Sequence, residues 1–173
     1  VAALGVGATT AAFSVTDRVL IRPLPFADPE RLVKVFQAEP GYSRFEPSPA
    51  HYRDWKRMNT SFEDMGAYAS VSVNLIGGGG PLRIQGTSLT ANLLPLLGTS
   101  PFLGRLFAPD EDKEGAAGTV LLSHGLWKDA FGGREDAIGK TVRLDEEIHT
   151  VVGVMPPQSA FPDRSTRLSA PIR

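Results

Sequence analysis

The sequence contains no cysteine, and this absence excludes disulfide bonds, thiolate zinc sites and cysteine nucleophiles. It also lacks an excess of charge, because the formal net charge is -1 at pH 7. A basic surface for nucleic acid and an acidic tail are therefore not expected. What is present is 42% hydrophobic and 21% charged residues, a composition typical of a folded domain.

The first residues allow two interpretations. Residues 1–16 carry no charge, and Gly5-Val6-Gly7 is followed about twenty residues later by the acidic Asp28. A dinucleotide-binding turn needs a strand before its glycines and a second strand ending at the acidic residue. Only four residues precede Gly5, and Pro23 and Pro25 oppose a central strand before Asp28. The pattern therefore disfavours cofactor binding, and no cofactor is predicted.

The better interpretation of the same segment is the end of a membrane helix. Small residues recur at helical spacing at Gly5, Ala8 and Ala12, which permits close helix packing in a membrane. A span needs about 20 residues, so the segment is too short by itself. The chain starts at Val1 rather than methionine and stops at Arg173 within an alternating pattern, and we interpret it as a piece of a longer protein.

The rest of the chain predicts an α+β fold with short strands, short helices and antiparallel hairpins. Ser48-Pro49 is typical of a helix start, and Ser123 is expected to cap a second helix. Strands are predicted at 32–36, 68–76, 82–89, 119–122, 140–144 and 149–154. Helices are predicted at 49–58, 61–65, 92–97 and 125–131, with a loop at 40–49. A helix is also expected after Pro109, where acidic residues suit the positive end of the helix dipole.

Candidate chemical groups have simpler structural interpretations. The glycines at 77–80 have no following Lys-Ser or Lys-Thr, so they predict a hairpin tip and not a phosphate loop. Ser123-His124 lacks the glycine pattern of a nucleophile elbow, which favours Ser123 as a helix cap. No catalytic residue is predicted, because no convergent set of polar groups can be identified.

Metal binding is not predicted either. The three histidines, His51, His124 and His149, are scattered and no pair is spaced i,i+4. The acidic run Asp110-Glu111-Asp112 with Glu114 lacks the spacing and the central glycine of a calcium loop. The large aromatic residues are expected in the core, namely Trp55, Phe62, Tyr68, Trp127 and Phe131.

Several segments in order resemble MacB-like ABC transporter permeases, and more closely the duplicated orphan permeases of the ADOP type. GVGATTAAFSVTDRVLIRPLPF and ADPERLVKV are similar to the first membrane helix and its exit in these proteins. SPAHYRDWKRMNTSFEDMGAY and SVNLIGGGGPLRIQGTSLTANLLPLLGTSPFLGRLFAPDED continue the likeness. VLLSHGLWKDAFGG and IGKTVRLDEEIHTVVGVMPP extend it almost to the end. One departure is LSAPI at 168–172, where family members usually have Leu/Ile-Trp-Val-Pro-Leu.

The resemblance implies an arrangement and a role. Residues 1–22 would be the C-terminal part of a transmembrane helix and its exit from the bacterial inner membrane. Residues 23–173 would form a MacB-like periplasmic core domain, inserted between the first and second membrane helices. The implied role is mechanotransmission without catalysis, driven by a cytoplasmic ABC ATPase subunit. A permease dimer, a periplasmic adaptor and membrane lipid are the other implied partners.

Two alternatives are less favoured. A binding or sensor module anchored by one membrane helix would share the upstream sequence but end soon after the core domain. A soluble nucleotide-dependent enzyme would need a strand before Gly5 and measurable cofactor affinity.

The permease interpretation predicts that residues 28–173 bind neither NAD nor ATP, because a separate subunit hydrolyses the nucleotide. Isothermal titration calorimetry with each nucleotide is expected to give no binding signal. Micromolar affinity for either nucleotide would contradict the interpretation.

Overall fold

A computed structural model describes residues 26–39, 41–76, 81–159 and 161–173. The chain divides into two compact units, residues 1–35 and 36–173. In the first unit, Asp28 precedes a 3-10 turn at Pro29–Arg31, and its own backbone is left-handed with φ 49°. The predicted membrane helix at 1–22, the glycine motif at Gly5 and the glycine run at 77–80 lie outside the described residues. Among the described residues, no helix combines the length and apolarity that crossing a membrane requires.

The second unit contains nine strands and three α-helices in its described part. The strands are β1 Gln37–Glu39, β2 Tyr42–Phe45, β3 Tyr68–Ile76, β4 Pro81–Leu89, β5 Leu103–Gly104, β6 Thr119–Leu122, β7 Thr141–Leu144, β8 Glu147–Val154 and β9 Leu168–Pro171. The helices are α1 Pro49–Met58, α2 Leu93–Leu96 and α3 His124–Phe131. This set of short strands and short helices confirms the predicted α+β class.

Seven of the strands form a sheet that closes on itself. Their order is β5-β8-β6-β9-β4-β3-β7, and β7 also pairs with β8. Six strands therefore make a ring, and β5 extends β8 beyond the point where β7 ends. The β4–β9 and β6–β8 pairs are parallel, whereas the others are antiparallel. Closure removes most unpaired strand edges, which would otherwise be open to pairing with other chains.

The ring is filled by a hydrophobic core. Strand β6 is buried along its whole length, so it has apolar contacts on both faces. Helix α3 adds Leu126 and Trp127 to the same core. The 3-10 turn at Glu135–Ala137 adds Ala137. The strands contribute the remaining buried members, which are Leu75, Ile84, Val120, Leu122, Val142, Leu144, Val151, Val154 and Leu168. Burial of this set is the main source of stability, at about 1.5–3 kcal/mol for each large apolar side chain.

An aspartate at the β7–β8 turn joins β7 to β3. The Asp145 carboxylate accepts hydrogen bonds from the backbone N–H of Asn74 at 3.0 Å and from the Asn74 side-chain amide at 2.7 Å. The Asp145 N–H donates to the Asn74 carbonyl at 2.9 Å. Asp145 has φ 52°, a left-handed conformation that aspartate tolerates better than most residues. These contacts help to complete the ring where β3 pairs with β7.

Several predicted elements are confirmed. The hairpin of β3 and β4 is in register over nine residue pairs, from Tyr68 opposite Leu89 to Ile76 opposite Pro81. The Ser48 hydroxyl accepts from the His51 N–H at 3.2 Å and so caps α1. Helix α3 ends at Gly132, which has φ 64°. The β7–β8 hairpin is also confirmed, although β8 begins two residues earlier than predicted.

Four local predictions are wrong. Residues 32–36 form no strand, and the first strand, β1, begins only at Gln37. The predicted loop at 40–49 contains strand β2, which pairs with β1. Residues 61–65 form bends and no helix, because the Asn59 side chain accepts the N–H groups of Ser61 and Phe62 and fixes a local turn. The segment after Pro109 forms turns instead of a helix.

The predicted aromatic core is only partly correct. Trp127 is buried and Phe131 packs against the core. Trp55 and Tyr68 are half-buried, whereas Phe62 is 44% exposed. Residues 168–172 depart from the family pattern, yet β9 still pairs with both β4 and β6, and Leu168 lies in the core.

Two glycines allow β5 to lie against β8. A Cβ atom on Gly153 would stand 2.3 Å from the Arg105 carbonyl oxygen, and one on Gly104 would stand 2.3 Å from the Val152 carbonyl oxygen. Both obstacles are backbone atoms, which cannot rotate away. The close approach lets Phe102 and Arg105 donate backbone hydrogen bonds to Val154 and Val152.

We expect Gly153→Ala to lower the free energy of unfolding by about 1–3 kcal/mol, because the added methyl group forces β5 away from β8. Thermal or urea unfolding of the chain measures the change. Gly125→Ala is the matched control, since the nearest atom lies 4.0 Å away and the site is helical. The control is expected to be neutral or stabilising by up to about 1 kcal/mol. Equal stability of the two variants would contradict the argument.

Candidate functional site

Ser123 and His124, the adjacent pair considered for nucleophilic chemistry, have separate structural roles. The Ser123 hydroxyl accepts from the Leu126 N–H at 3.1 Å and caps α3, as predicted. The His124 ring faces two aromatic rings, with centroids 5.3 Å from Phe102 and 5.3 Å from Trp127. The geometry therefore does not place the imidazole as a base for Ser123.

Phe102, His124 and Trp127 form a mutually contacting group that we call the aromatic cluster. The Phe102 and Trp127 centroids are 5.7 Å apart, within the range of favourable aromatic pairs. Trp127 is anchored by a hydrogen bond from Nε1 to the Arg134 carbonyl at 2.8 Å. Phe102 is 54% exposed, so part of the cluster faces solvent. Such a surface provides apolar contact area. Sequence reasoning missed it because Phe102, just before β5, meets a helix that lies far along the chain from it.

The other two histidines lie in unrelated surroundings. His51 Nδ1 is 2.8 Å from the Gln37 side-chain oxygen, and its ring stacks on Trp55. His149 is 5% exposed and contacts Arg173 and Glu147. The structure does not bring the histidines together, and no group of metal-ligating side chains is found within the described residues.

The acidic run 110–114 fixes the backbone around it. Glu111 makes a two-pronged ion pair with Arg105, at 2.6 and 3.0 Å, and accepts from the Ala108 N–H at 2.8 Å. Asp112 accepts from the buried Ala91 N–H at 3.0 Å. Asp110 pairs with Lys113. Glu111 and Asp112 therefore accept hydrogen bonds from nearby backbone N–H groups, and the three carboxylates have different partners.

A small cleft lies beside Ser123. It includes the side chains of Ser123, Ser159, Thr166 and Ser169, together with apolar neighbours, and its volume is about 20 Å³. Small-molecule sites usually measure roughly 300–1,000 Å³. The cleft has room for about one water molecule and is too small for a cofactor.

A second exposed apolar feature crosses the ring. Ile76 lies opposite Arg143, and Arg143 lies opposite Ile148, so the three side chains form a row across β3, β7 and β8. Ile148 is 68% exposed and Ile76 is 37% exposed. The row offers a contact surface of two apolar side chains and one basic side chain, and it contains no acid–base pair.

The fold and these surfaces define a closed α+β domain whose described chemical groups hold loops and strands together. The family described as the MacB-like periplasmic core domain matches residues 2–172. The chain therefore belongs to this family, and the resemblance noted in the sequence is confirmed.

Two solved structures are similar. The periplasmic region of MacB from Actinobacillus actinomycetemcomitans has a TM-score of 0.60 at 19% identity, with 76% of this chain and 58% of that chain covered. The extracellular domain of the noncanonic ABC-type transporter YknZ from Gram-positive bacteria has a TM-score of 0.49 at 19% identity, with 61% and 52% covered. The chain thus spans little more than half of either structure. A search of curated proteins found no match.

The ion pair of Glu111 predicts a pH-dependent contribution to stability. Hydrogen bonds from Arg105 lower the pKa of the Glu111 carboxyl below its usual 4.5, and burial opposes this only in part. A carboxyl whose pKa falls on folding stabilises the fold above its unfolded pKa, and the benefit is lost as the pH falls through the folded pKa.

We expect Glu111→Gln to reduce the free energy of unfolding by about 1 kcal/mol at pH 7, since Arg105 is half-exposed and the charge is screened. The difference from the unmodified chain should shrink as the pH falls below 4.5 and vanish once it has passed the lower pKa that Glu111 has in the folded state. Urea unfolding between pH 3 and pH 7 measures it. Glu114→Gln, at an exposed neighbour, is the control and should have little effect. A difference that stays constant with pH would contradict the assignment.

Proposed function

We propose that this chain is the extracytoplasmic domain of an ABC transporter permease subunit. In this proposal the domain is non-catalytic, and a separate cytoplasmic ATPase supplies the energy. Movement of the membrane helices is passed to the domain, which performs export or other work outside the membrane. Membership of the MacB-like periplasmic core domain family supports the proposal.

The observation that carries the mechanical part is the closed ring of six strands. An open sheet can twist or slide at its edges, but in a ring each strand has hydrogen-bonded neighbours on both sides. The additional contacts of Asp145 with Asn74 strengthen the β3–β7 pair. A displacement applied at one part of such a body reaches the opposite part without being absorbed by internal deformation.

The described surfaces suit this role better than that of a binding or sensor module. A sensor for a small molecule needs a pocket, and the cleft near Ser123 holds about one water molecule. The aromatic cluster and the row at Ile148 are suited to contacts with other proteins. Membership of the family implies an ATPase subunit as a partner. The proposal further includes a permease dimer, an adaptor and contact with inner-membrane lipid.

The proposal predicts rigid-body movement during the ATPase cycle. The complete protein, with any cysteines elsewhere replaced, can be labelled at two exposed positions of this domain, Arg83 and Lys128, since residues 1–173 contain no cysteine. We expect the distance between these labels to stay constant when ATP is added to the protein and its ATPase in lipid vesicles. The energy transfer from Lys128 to a dye on the lipid headgroups should change.

An ATPase subunit that binds but cannot hydrolyse ATP is the control, and it should stop the cycle in one position. A change in the Arg83–Lys128 distance would contradict rigid transmission. No change in energy transfer under turnover would contradict the transport role itself.

A further inference from the structure

A buried histidine and an arginine meet next to the last strand. Arg173 follows β9 by two residues, and its Nη2 lies 3.0 Å from the Nε2 of His149 and 3.0 Å from the Glu147 carboxylate. Its Nη1 donates to the Ala116 carbonyl at 3.0 Å. One guanidinium group therefore joins the segment after β9 to β8 and to the loop before β6.

The chemistry of arginine fixes the protonation state of His149 in this arrangement. A guanidinium group has only hydrogen-bond donors, so the Nε2 atom of His149 must be the acceptor. The proton of the neutral ring then resides on Nδ1, which lies 3.2 Å from the Glu147 carbonyl and donates to it. An imidazolium ring has donors on both nitrogens, and its Nε2 could not accept from Arg173.

The ring has little freedom to avoid this conflict. His149 lies opposite Val142, a core residue on β7, and it is 5% exposed. Gly118 lies so close that an added Cβ atom would come within 3.1 Å of the imidazole carbons. The charged groups that act on the imidazole are Arg173, from the segment after β9, and Glu147, from β8 itself.

These groups affect the titration of His149 in a definite direction. Burial is the largest influence and lowers the pKa of His149, and the nearby Arg173 charge lowers it further, whereas Glu147 opposes both. Folding lowers this pKa, so the neutral form of His149 contributes fully to the free energy of unfolding above the usual pKa of about 6.5. That stabilisation is lost as the pH falls from about 6.5 toward the pKa of His149 in the folded state.

We propose that His149 and Arg173 form a pH-sensitive latch that holds the segment after β9 against the ring. The latch is closed while His149 is neutral and accepts from Arg173. When His149 binds a proton, Nε2 becomes a donor and the Glu147 carboxylate, 4.0 Å away, becomes its partner. Arg173 loses both contacts to β8 and keeps its hydrogen bond to the Ala116 carbonyl, so the segment after β9 is held less tightly.

The adjacent backbone supplies a reporter. The Ile172 N–H donates to the Leu89 carbonyl at 2.9 Å, so its exchange with solvent measures whether the segment is docked. At the other end of β9, the Arg167 N–H donates to the Gln85 carbonyl at 2.8 Å and serves as an internal control. Nuclear magnetic resonance can follow both amides and the His149 imidazole in one pH titration of the chain.

We expect the protection factor of the Ile172 amide to fall at least tenfold as His149 becomes protonated, while that of Arg167 changes much less. His149→Gln should keep Ile172 protected across the titration, because a glutamine oxygen can accept from Arg173 and does not titrate. Arg173→Met should leave Ile172 weakly protected at every pH and raise the pKa of His149. His51→Gln, at an exposed histidine, should behave like the unmodified chain.

Constant protection of Ile172 through the titration of His149 would overturn the latch. A fall in protection that persists in His149→Gln would also overturn it, because another group would then be responsible. If His149→Gln does not fold, Arg173→Met still decides, since an unchanged pKa of His149 in that variant would mean that the two side chains are not coupled.

Discussion

The pairing of β8 with three other strands is the constraint on which the rest of the structure depends. On one side β8 is parallel to β6, and on the other side it pairs first with β7 and then with β5. A register shift between Val120 and Leu121 allows β6 to follow β8 past Val152. Glycines at 104, 118 and 153 keep the approaching backbones free of side chains. Without this one strand the sheet would be open and β5 would have no partner in it.

The sequence allowed local elements to be predicted where the residue pattern and the local hydrogen bonds agree. The alternation from Tyr68 to Ile76 predicted β3 with its observed bounds, and Ser48 and Ser123 predicted two helix starts. The prediction failed at 61–65, where the Asn59 side chain competes for the backbone N–H groups. Ring closure could not be predicted, because the contact of Leu75 with Leu144 depends on the whole fold.

The candidate site illustrates the same limit. Sequence reasoning assigned Ser123 to a helix cap and found no catalytic set, and the cap is confirmed. It could not identify the aromatic cluster, because nothing near Phe102 in the sequence indicates contact with Trp127. It predicted a helix start at the acidic run and missed the ion pair of Glu111 with Arg105, which lies directly after β5 and is brought to Glu111 by the tertiary fold. Charged side chains are the least predictable, because their partners are chosen by tertiary structure.

The position of β9 has a consequence for synthesis. This strand comes last among the nine in the sequence, yet it lies between β4 and β6 near the middle of the sheet. During translation, β4 and β6 emerge well before β9, the strand that separates them. Until β9 is in place, the apolar residues Ile84 and Leu122, which are buried in the folded chain, lack their complete set of native contacts. The ring can therefore be completed only after residue 171 has left the ribosome or the export channel. Until then, hairpins such as β3–β4 can form, but the apolar surfaces that β9 brings together stay open to solvent or to aggregation.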